Sequence, residues 1–397
     1  MKSFLFVLCF YCSATLGQTY SVNGTVLNSV NNEPLPSASI FINNSSKGTV
    51  SNADGKFLLE GIPVSSFELI ISYSGFVTQS VKIEPGNISK PLTILMTPRT
   101  ERLEDITIMV PEKDGWKTWG KFFTESFVGQ SDLAKECSIE NPREIKFFND
   151  KKHNLLKAWT DNHLIIRNNA LGYKITYLLE DFTYDFKNKI TSFSGYAFFT
   201  EMKTGSRRKK ERWIKARKEA YDGSLMYFMR ALYKDSVAAY GFDVREKIRV
   251  NDDDSLFSKI YKPGNFPTVR IQDDTYKVVP GPNAPFKNTA SYVYLVNTKT
   301  ISFKDALYID SATSQRNFYF NNMLQVIYKN GFAKGDYLVA NGYPETFKIN
   351  QISDISLIQN DRLIIESDGT YFNPMNLISS GYWGWAHLAE MLPTDYK

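Results

Sequence analysis

Between Tyr20 and Thr97 the chain divides into seven short β-type runs: approximately Tyr20 to Leu27, Ala38 to Ile42, Gly48 to Ser51, Lys56 to Leu59, Phe67 to Tyr73, Phe76 to Ile83 and Pro91 to Thr97. Turn residues separate them, and runs of this length bury their apolar residues by closing two thin sheets over a shared interior. Asn52-Ala53-Asp54-Gly55 reads as a hairpin signal, because Asp and Gly tolerate the left-handed backbone angles of tight turns. Asp54 is therefore a turn former and not a catalyst. Pro34 and Pro36 fall where the first long connection leaves the sheet, since proline cannot donate to a ladder, and Gly75 punctuates the chain before Phe76.

Four segments occur in a telling order: Val22 to Val26, Glu33 to Ile40, Gly48 to Phe57 and Ser72 to Phe76. Together they resemble the carboxypeptidase regulatory-like domain family. That resemblance implies a transthyretin-like sandwich, commonly fused ahead of larger exported or outer-membrane proteins in Bacteroidetes-type bacteria, and implies no peptidase activity. Leu103 to Ile108 looks like the segment that leads into the plug and barrel of TonB-dependent transporters carrying this domain. Fewer than three hundred residues remain after it. About twenty alternating strands would need hundreds more, so a transporter barrel is not expected.

The first residues read as an export signal over 1–17: Lys2, the apolar stretch Phe4 to Cys12, then small Thr15 and Gly17 before Gln18. Leu8 and Tyr11 precede Cys9 and Cys12, which argues against a lipoprotein signal. With the signal removed, Cys137 alone remains and no intrachain disulfide forms. No later apolar run reaches the roughly 18 residues of a membrane helix. Net charge is only +5, most of it traceable to one local run, so nucleic acid is not an expected partner.

A chain of 397 residues exceeds the roughly 250 to 300 at which single cores stop growing. The expected organisation is a sandwich over 19–98, a linker over 99–113 and a second domain over 114–397. In that domain Asp114 caps a helix with Trp116, Trp119, Phe123 and Phe127 on one side. Residues 144–202 then read as antiparallel β. Arg207 to Lys218 holds eight basic residues in twelve, helical because Trp213, Ala216 and Ala220 share one face, with the cations covering the rest. Asp222-Gly223-Ser224 breaks the helix before the apolar stripe of Leu225, Phe228, Met229 and Leu232. Beyond Ser236 the signal returns to β, with a loop-rich interval around Pro263 to Pro285 and strands near Thr300 to Tyr308, Met323 to Tyr328 and Leu363 to Glu366. The fold class is thus multidomain: an all-β seven-stranded sandwich followed by an α+β domain with a mixed or antiparallel sheet. Asn168 to Tyr173, the basic helix, Gly381-Tyr382-Trp383 and Leu392-Pro393 make this second part similar to the portion that follows the domain in a family of exported Bacteroidetes proteins. The likeness implies architecture and no activity.

Candidate chemistry is sparse. His387-Leu388-Ala389-Glu390 has the His-x-x-Glu spacing that puts two zinc ligands on one helical turn, yet His153 and His163 lie upstream where a peptidase needs a distant second histidine downstream. No metal and no cofactor are assigned, and a short terminal helix with His387 near its surface is the plainer reading. No Gly-x-Ser-x-Gly elbow or phosphate loop occurs, and Cys137 reads as part of a polar helical stretch. Asp252 to Asp254 lack the alternating ligands and distal Glu of a calcium loop. Two binding surfaces remain. Arg207, Arg208, Lys209, Lys210 and Arg212 form a cationic face for lipopolysaccharide phosphates or an acidic glycan, weighed against an ordinary solvated helix. Tyr382, Trp383 and Trp385 form an aromatic patch for sugar stacking, weighed against a role in sealing the core. The sequence therefore points to a non-enzymatic exported envelope protein, periplasmic or outer-membrane-associated. Its expected partner is an envelope glycan or another outer-membrane protein. The competing reading is a periplasmic, metallopeptidase-like hydrolase with its site in the second domain.

Overall fold

The structure is a computed structural model that describes residues 19–63, 65–85, 90–99, 110–187, 189–260, 267–280, 292–303, 306–311, 315–358 and 361–397. The export segment, Leu103 to Ile108 and most of the linker lie outside the described residues. Two compact units emerge, one from the described residues of Met1–Ile40 and Lys47–Glu101, the other from those of Phe41–Ser46 and Arg102–Lys397.

Among the described residues, seven strands form the sandwich: β1 (Thr19–Asn28), β2 (Ser39–Ile42), whose Phe41 and Ile42 are counted with the second unit, β3 (Gly48–Val50), β4 (Lys56–Pro63), β5 (Phe67–Ser72), β6 (Gln79–Ile83) and β7 (Leu92–Met96). They form two sheets, β4-β1-β7 and β3-β2-β5-β6, with β1 parallel to β7 and antiparallel to β4. The period-2 pattern explains the core. Val22 and Val26 of β1, Phe57 and Leu59 of β4, Leu69 and Ile71 of β5 and Met96 of β7 are all buried. The hairpin expected at Asn52 to Gly55 does not form. The Asn52 to Gly55 turn forms, with Gly55 at φ 72° and the Asn52 carboxamide accepting from the Asp54 and Lys56 amides. However, β3 and β4 on its two sides belong to different sheets, so it carries the chain across the core and does not close a hairpin.

The second unit opens with α1 (Gly115–Phe127) and α2 (Asp132–Lys135). Phe123 and Phe127 of α1 are fully buried, and Trp116 and Trp119 pack partly buried beside them. Asp114 takes the N-cap position but makes no side-chain cap bond. A six-stranded antiparallel sheet follows from β8 (Cys137–Ile139), β9 (Ile145–Asp150), β10 (Leu155–Thr160), β11 (Leu164–Asn168), β12 (Tyr173–Asp185) and β13 (Ile190–Glu201). Cys137 thus begins a strand, because its neighbours pair with Arg167 and Ile166.

Next come α3 (Arg207–Tyr221) and α4 (Leu225–Tyr233), then β14 (Phe242–Asn251), α5 (Phe257–Ile260), β15 (Thr268–Ile271), β16 (Asp274–Pro280) and β17 (Tyr292–Asn297). The chain continues through β18 (Leu307–Ile309), β19 (Arg316–Phe318), β20 (Met323–Phe332), α6 (Gly335–Ala340), β21 (Asn350–Leu357), β22 (Leu363–Ile365), β23 (Leu377–Gly381) and α7 (Tyr382–Ala386). Seven of these strands make an antiparallel sheet ordered β15-β16-β17-β14-β20-β21-β23, and β18-β19-β22 make a small third sheet. Thr300 to Phe303 is not strand, and the loop-rich interval contains the β15–β16 hairpin, both unlike the sequence expectation. Phe228, Met229 and Leu232 of α4 cover Phe242, Val244, Leu324 and Val326 of the large sheet.

Candidate functional site

The basic helix α3 forms as expected, started by the Ser206 hydroxyl, which accepts from the Lys209 amide. Its charge is less free than the composition implies. Arg207 pairs with Glu211, Lys215 with Glu219 and Lys218 with Asp222, each one helical turn apart, while Arg212 reaches Glu136 and the Asn169 carbonyl. Lys209 lies 5.1 Å from the centre of the Trp213 ring. Arg208 and Lys210 are exposed with no ion pair among the described residues, so they concentrate the unneutralised charge.

Arg217 departs from the solvated face assigned to the cations. It is 7% exposed, donates from Nε to the Leu171 carbonyl at 2.7 Å, from Nη1 to Glu201 at 2.6 Å and from Nη2 to the Gly172 carbonyl at 3.3 Å. Its guanidinium also stacks 4.0 Å from the Tyr173 ring centre. The planar fork satisfies carbonyls at the turn before β12, which a sequence pattern does not reveal.

The terminal aromatics divide between two environments. Trp383 is 9% exposed, packs on Phe228 and donates from Nε1 to the Gly223 carbonyl at 2.7 Å. Tyr382 and Trp385, three residues apart on α7, turn the other way and meet Tyr337 of α6 with ring centres 5.1 and 5.5 Å away. Tyr382 is only 4% exposed. Tyr382 and Trp383 are therefore interior residues and present no open ring face for a sugar. The Trp385 Nε1 is buried without a hydrogen-bond partner among the described residues, and the Tyr382 hydroxyl lies beside the Lys334 amide. Burial holds the Tyr382 phenol far above its ordinary range.

His387 and Glu390 do not share a helical turn. α7 ends at Ala386, His387 sits at φ 45°, and Leu388–Glu390 is a separate 3-10 turn. Burial lowers His387 to about 4, which keeps it neutral, and raises Glu390, whose carboxylate accepts from Lys334 Nζ at 3.0 Å. The Asn168 side chain donates to the Ala389 carbonyl and the Ala389 amide to the Val128 carbonyl, so this segment is fastened to the six-stranded sheet. Among the described residues no group of three or more His, Cys, Asp or Glu is placed to hold a metal ion. Burial also pushes the Cys137 thiol up to about 12, far from the thiolate a nucleophile needs.

Sequence reasoning missed a groove of about 330 Å³ along the large sheet, lined by Glu246 of β14, Asp274 of β16, Asn297 of β17, Lys299 to Ile301, and Phe320, Asn321 and Leu324. Its carboxylate is fixed: Tyr276 Oη donates to Glu246 Oε2 and Asn322 Nδ2 to Oε1, both at 2.8 Å. Burial and the Glu246 contact push the Tyr276 phenol up to about 12, so it remains a donor near neutral pH. Lys299 Nζ stands 3.2 Å from Asp274. These residues come from four separate stretches, and only the sheet order β16-β17-β14-β20 brings them together. On the same sheet Lys247 is buried against Asp354 at 2.6 Å and lies over the Tyr294 ring, while Asp354 Oδ1 has no partner among the described residues.

The class defined by the first unit is a small two-sheet β-sandwich, here preceding an α+β unit. More narrowly, residues 22–108 match the CarboxypepD_reg-like domain. A curated relative, TonB-dependent receptor P3 of Formosa agariphila, is 34% identical over 111 residues, covering 28% of this chain. The matched stretch spans only 11% of the length of that receptor. Among solved structures, a 9R-lipoxygenase from Cyanothece PCC8801 aligns at 11% identity with a TM-score of 0.17, over 60% of this chain and 50% of that chain. So low a score carries no argument. No helix among the described residues is long and apolar enough to cross a membrane.

Proposed function

We propose that this chain is an exported cell-envelope accessory protein, without catalytic activity, whose sandwich serves as a docking module and whose second unit binds a component of the envelope. The observation that carries this reading is a stretch of 111 residues shared with a TonB-dependent receptor, which together with the regulatory-like domain at residues 22–108 supports an outer-membrane context. The cationic face of α3 adds a preference for an anionic component, with Arg208 and Lys210 as its free charges. Phosphorylated outer-membrane lipid is the anion of choice, since it is dense and surface-bound.

Co-sedimentation of the purified chain with outer-membrane vesicles tests this. Binding that weakens as salt rises, and weakens further in an Arg208→Gln, Lys210→Gln double variant, is expected. No sedimentation at low salt, or release of peptide or sugar fragments from the vesicles by turnover, contradicts it.

A further inference from the structure

We propose that the groove beside Glu246 is a saccharide site, in which the Glu246 carboxylate accepts hydrogen bonds from two adjacent ring hydroxyls. The inference rests on the second unit being a binding domain and names the ligand chemistry of one place in it. Glu246 is held by two neutral donors, Tyr276 Oη and Asn322 Nδ2, one on each oxygen, and has no ion pair among the described residues. A carboxylate fixed in this way keeps a second acceptor direction on each oxygen, the arrangement that two neighbouring hydroxyls match.

The remaining lining supplies what a polyol needs. Asn321 is exposed and its carbonyl oxygen already accepts from Tyr319 Oη, which leaves its amide to donate. Thr300 Oγ1 donates to Asp243 and so faces other groups as an acceptor. Lys299 donates to Asp274 Oδ1 and to the Asp273 carbonyl and keeps one further N–H at the rim. Ile301, half-buried at the groove wall, provides an apolar side for the C–H face of a ring. With two carboxylates against one lysine, the groove repels phosphate and free carboxylates and favours a neutral ligand. Its size falls at the lower end of small-ligand pockets, roughly 300 to 1,000 Å³.

The test is saturation-transfer NMR and calorimetry on the full mature chain with the methyl glycosides of glucose, galactose and mannose. At least one is expected to bind with a Kd on the order of 1 mM. Glu246→Gln is expected to weaken it roughly tenfold through loss of charge-assisted bonds, and Asn321→Ala, at an exposed position that does not touch the core, to weaken it to a lesser degree. Thermal melts of both variants check that they remain folded. No binding of any of the three glycosides overturns the proposal, as does affinity unchanged in both folded variants, or binding of lysine methyl ester or methyl phosphate in place of the sugars. If vesicle sedimentation persists while the glycosides fail, the envelope reading stands and the saccharide assignment alone falls.

Discussion

Arg208 and Arg217 lie on one helix, yet their environments are opposite. Arg217 is enclosed by two carbonyls, a carboxylate and an aromatic face, so Arg217→Ala strands buried acceptors and is expected to cost about 3 kcal/mol in denaturant unfolding. Arg217→Lys is expected to recover little, because an ammonium cannot reproduce the fork. Arg208→Gln, at a solvated position, is expected to change stability by less than about 0.5 kcal/mol. The sequence showed eight cations and could not separate these two, since burial of Arg217 depends on the Asn168 to Gly172 turn folding beneath it. That turn has its own requirement: Gly172 is at φ 72°, and an added Cβ would stand 2.2 Å from the Trp213 ring. His387 carries a pH dependence. Its neutral form is favoured by burial, with a folded pKa of about 4 against an ordinary 6.5. The unfolded chain therefore binds a proton first as pH falls, so this contribution is complete above pH 6.5 and is lost on acidification toward about 4, amounting to about 3 kcal/mol. His387→Asn, which tolerates the positive φ, is expected to flatten the stability profile measured between pH 7 and 4.

At the level of elements, local chemistry was legible and pairing was not. The seven runs of the sandwich, the helix of α3 with Trp213 and Ala220 on one face and the Leu225 to Leu232 stripe of α4 follow from period and turn residues, which the chain displays in order. The partner of each strand depends on contacts far along the sequence, which is why a correct turn at Asn52 to Gly55 joins strands of different sheets. Cys137 was read as helical because its own neighbourhood is polar, whereas β11 recruits it into a ladder. The same logic hid the groove, whose lining comes from residues 246 to 324 and is assembled only by sheet order. A cap, in contrast, is a local device. Ser206→Ala is expected to destabilise α3 by about 1 kcal/mol, read as faster hydrogen exchange of the Lys209 and Lys210 amides with little change in global unfolding.

Across the whole molecule, two units with separate interiors account for the length of the chain and for its β-rich aromatic composition. The first is a regulatory-like sandwich and the second a larger α+β unit with three sheets. Cores that are distinct in this way are expected to unfold in two calorimetric transitions, the smaller belonging to the sandwich. A single cooperative transition would show the cores to be energetically one. The sandwich was legible from residues 22 to 76 through family resemblance and carries the expectation of an envelope location, while the chemistry of the second unit was not legible, because no motif in it fixes a reaction. An accessory protein of the envelope has to leave the cytosol, which density-gradient fractionation of cells producing the tagged chain measures. The chain is expected in the outer-membrane or periplasmic fractions, and its retention in the cytosol rules out an envelope role.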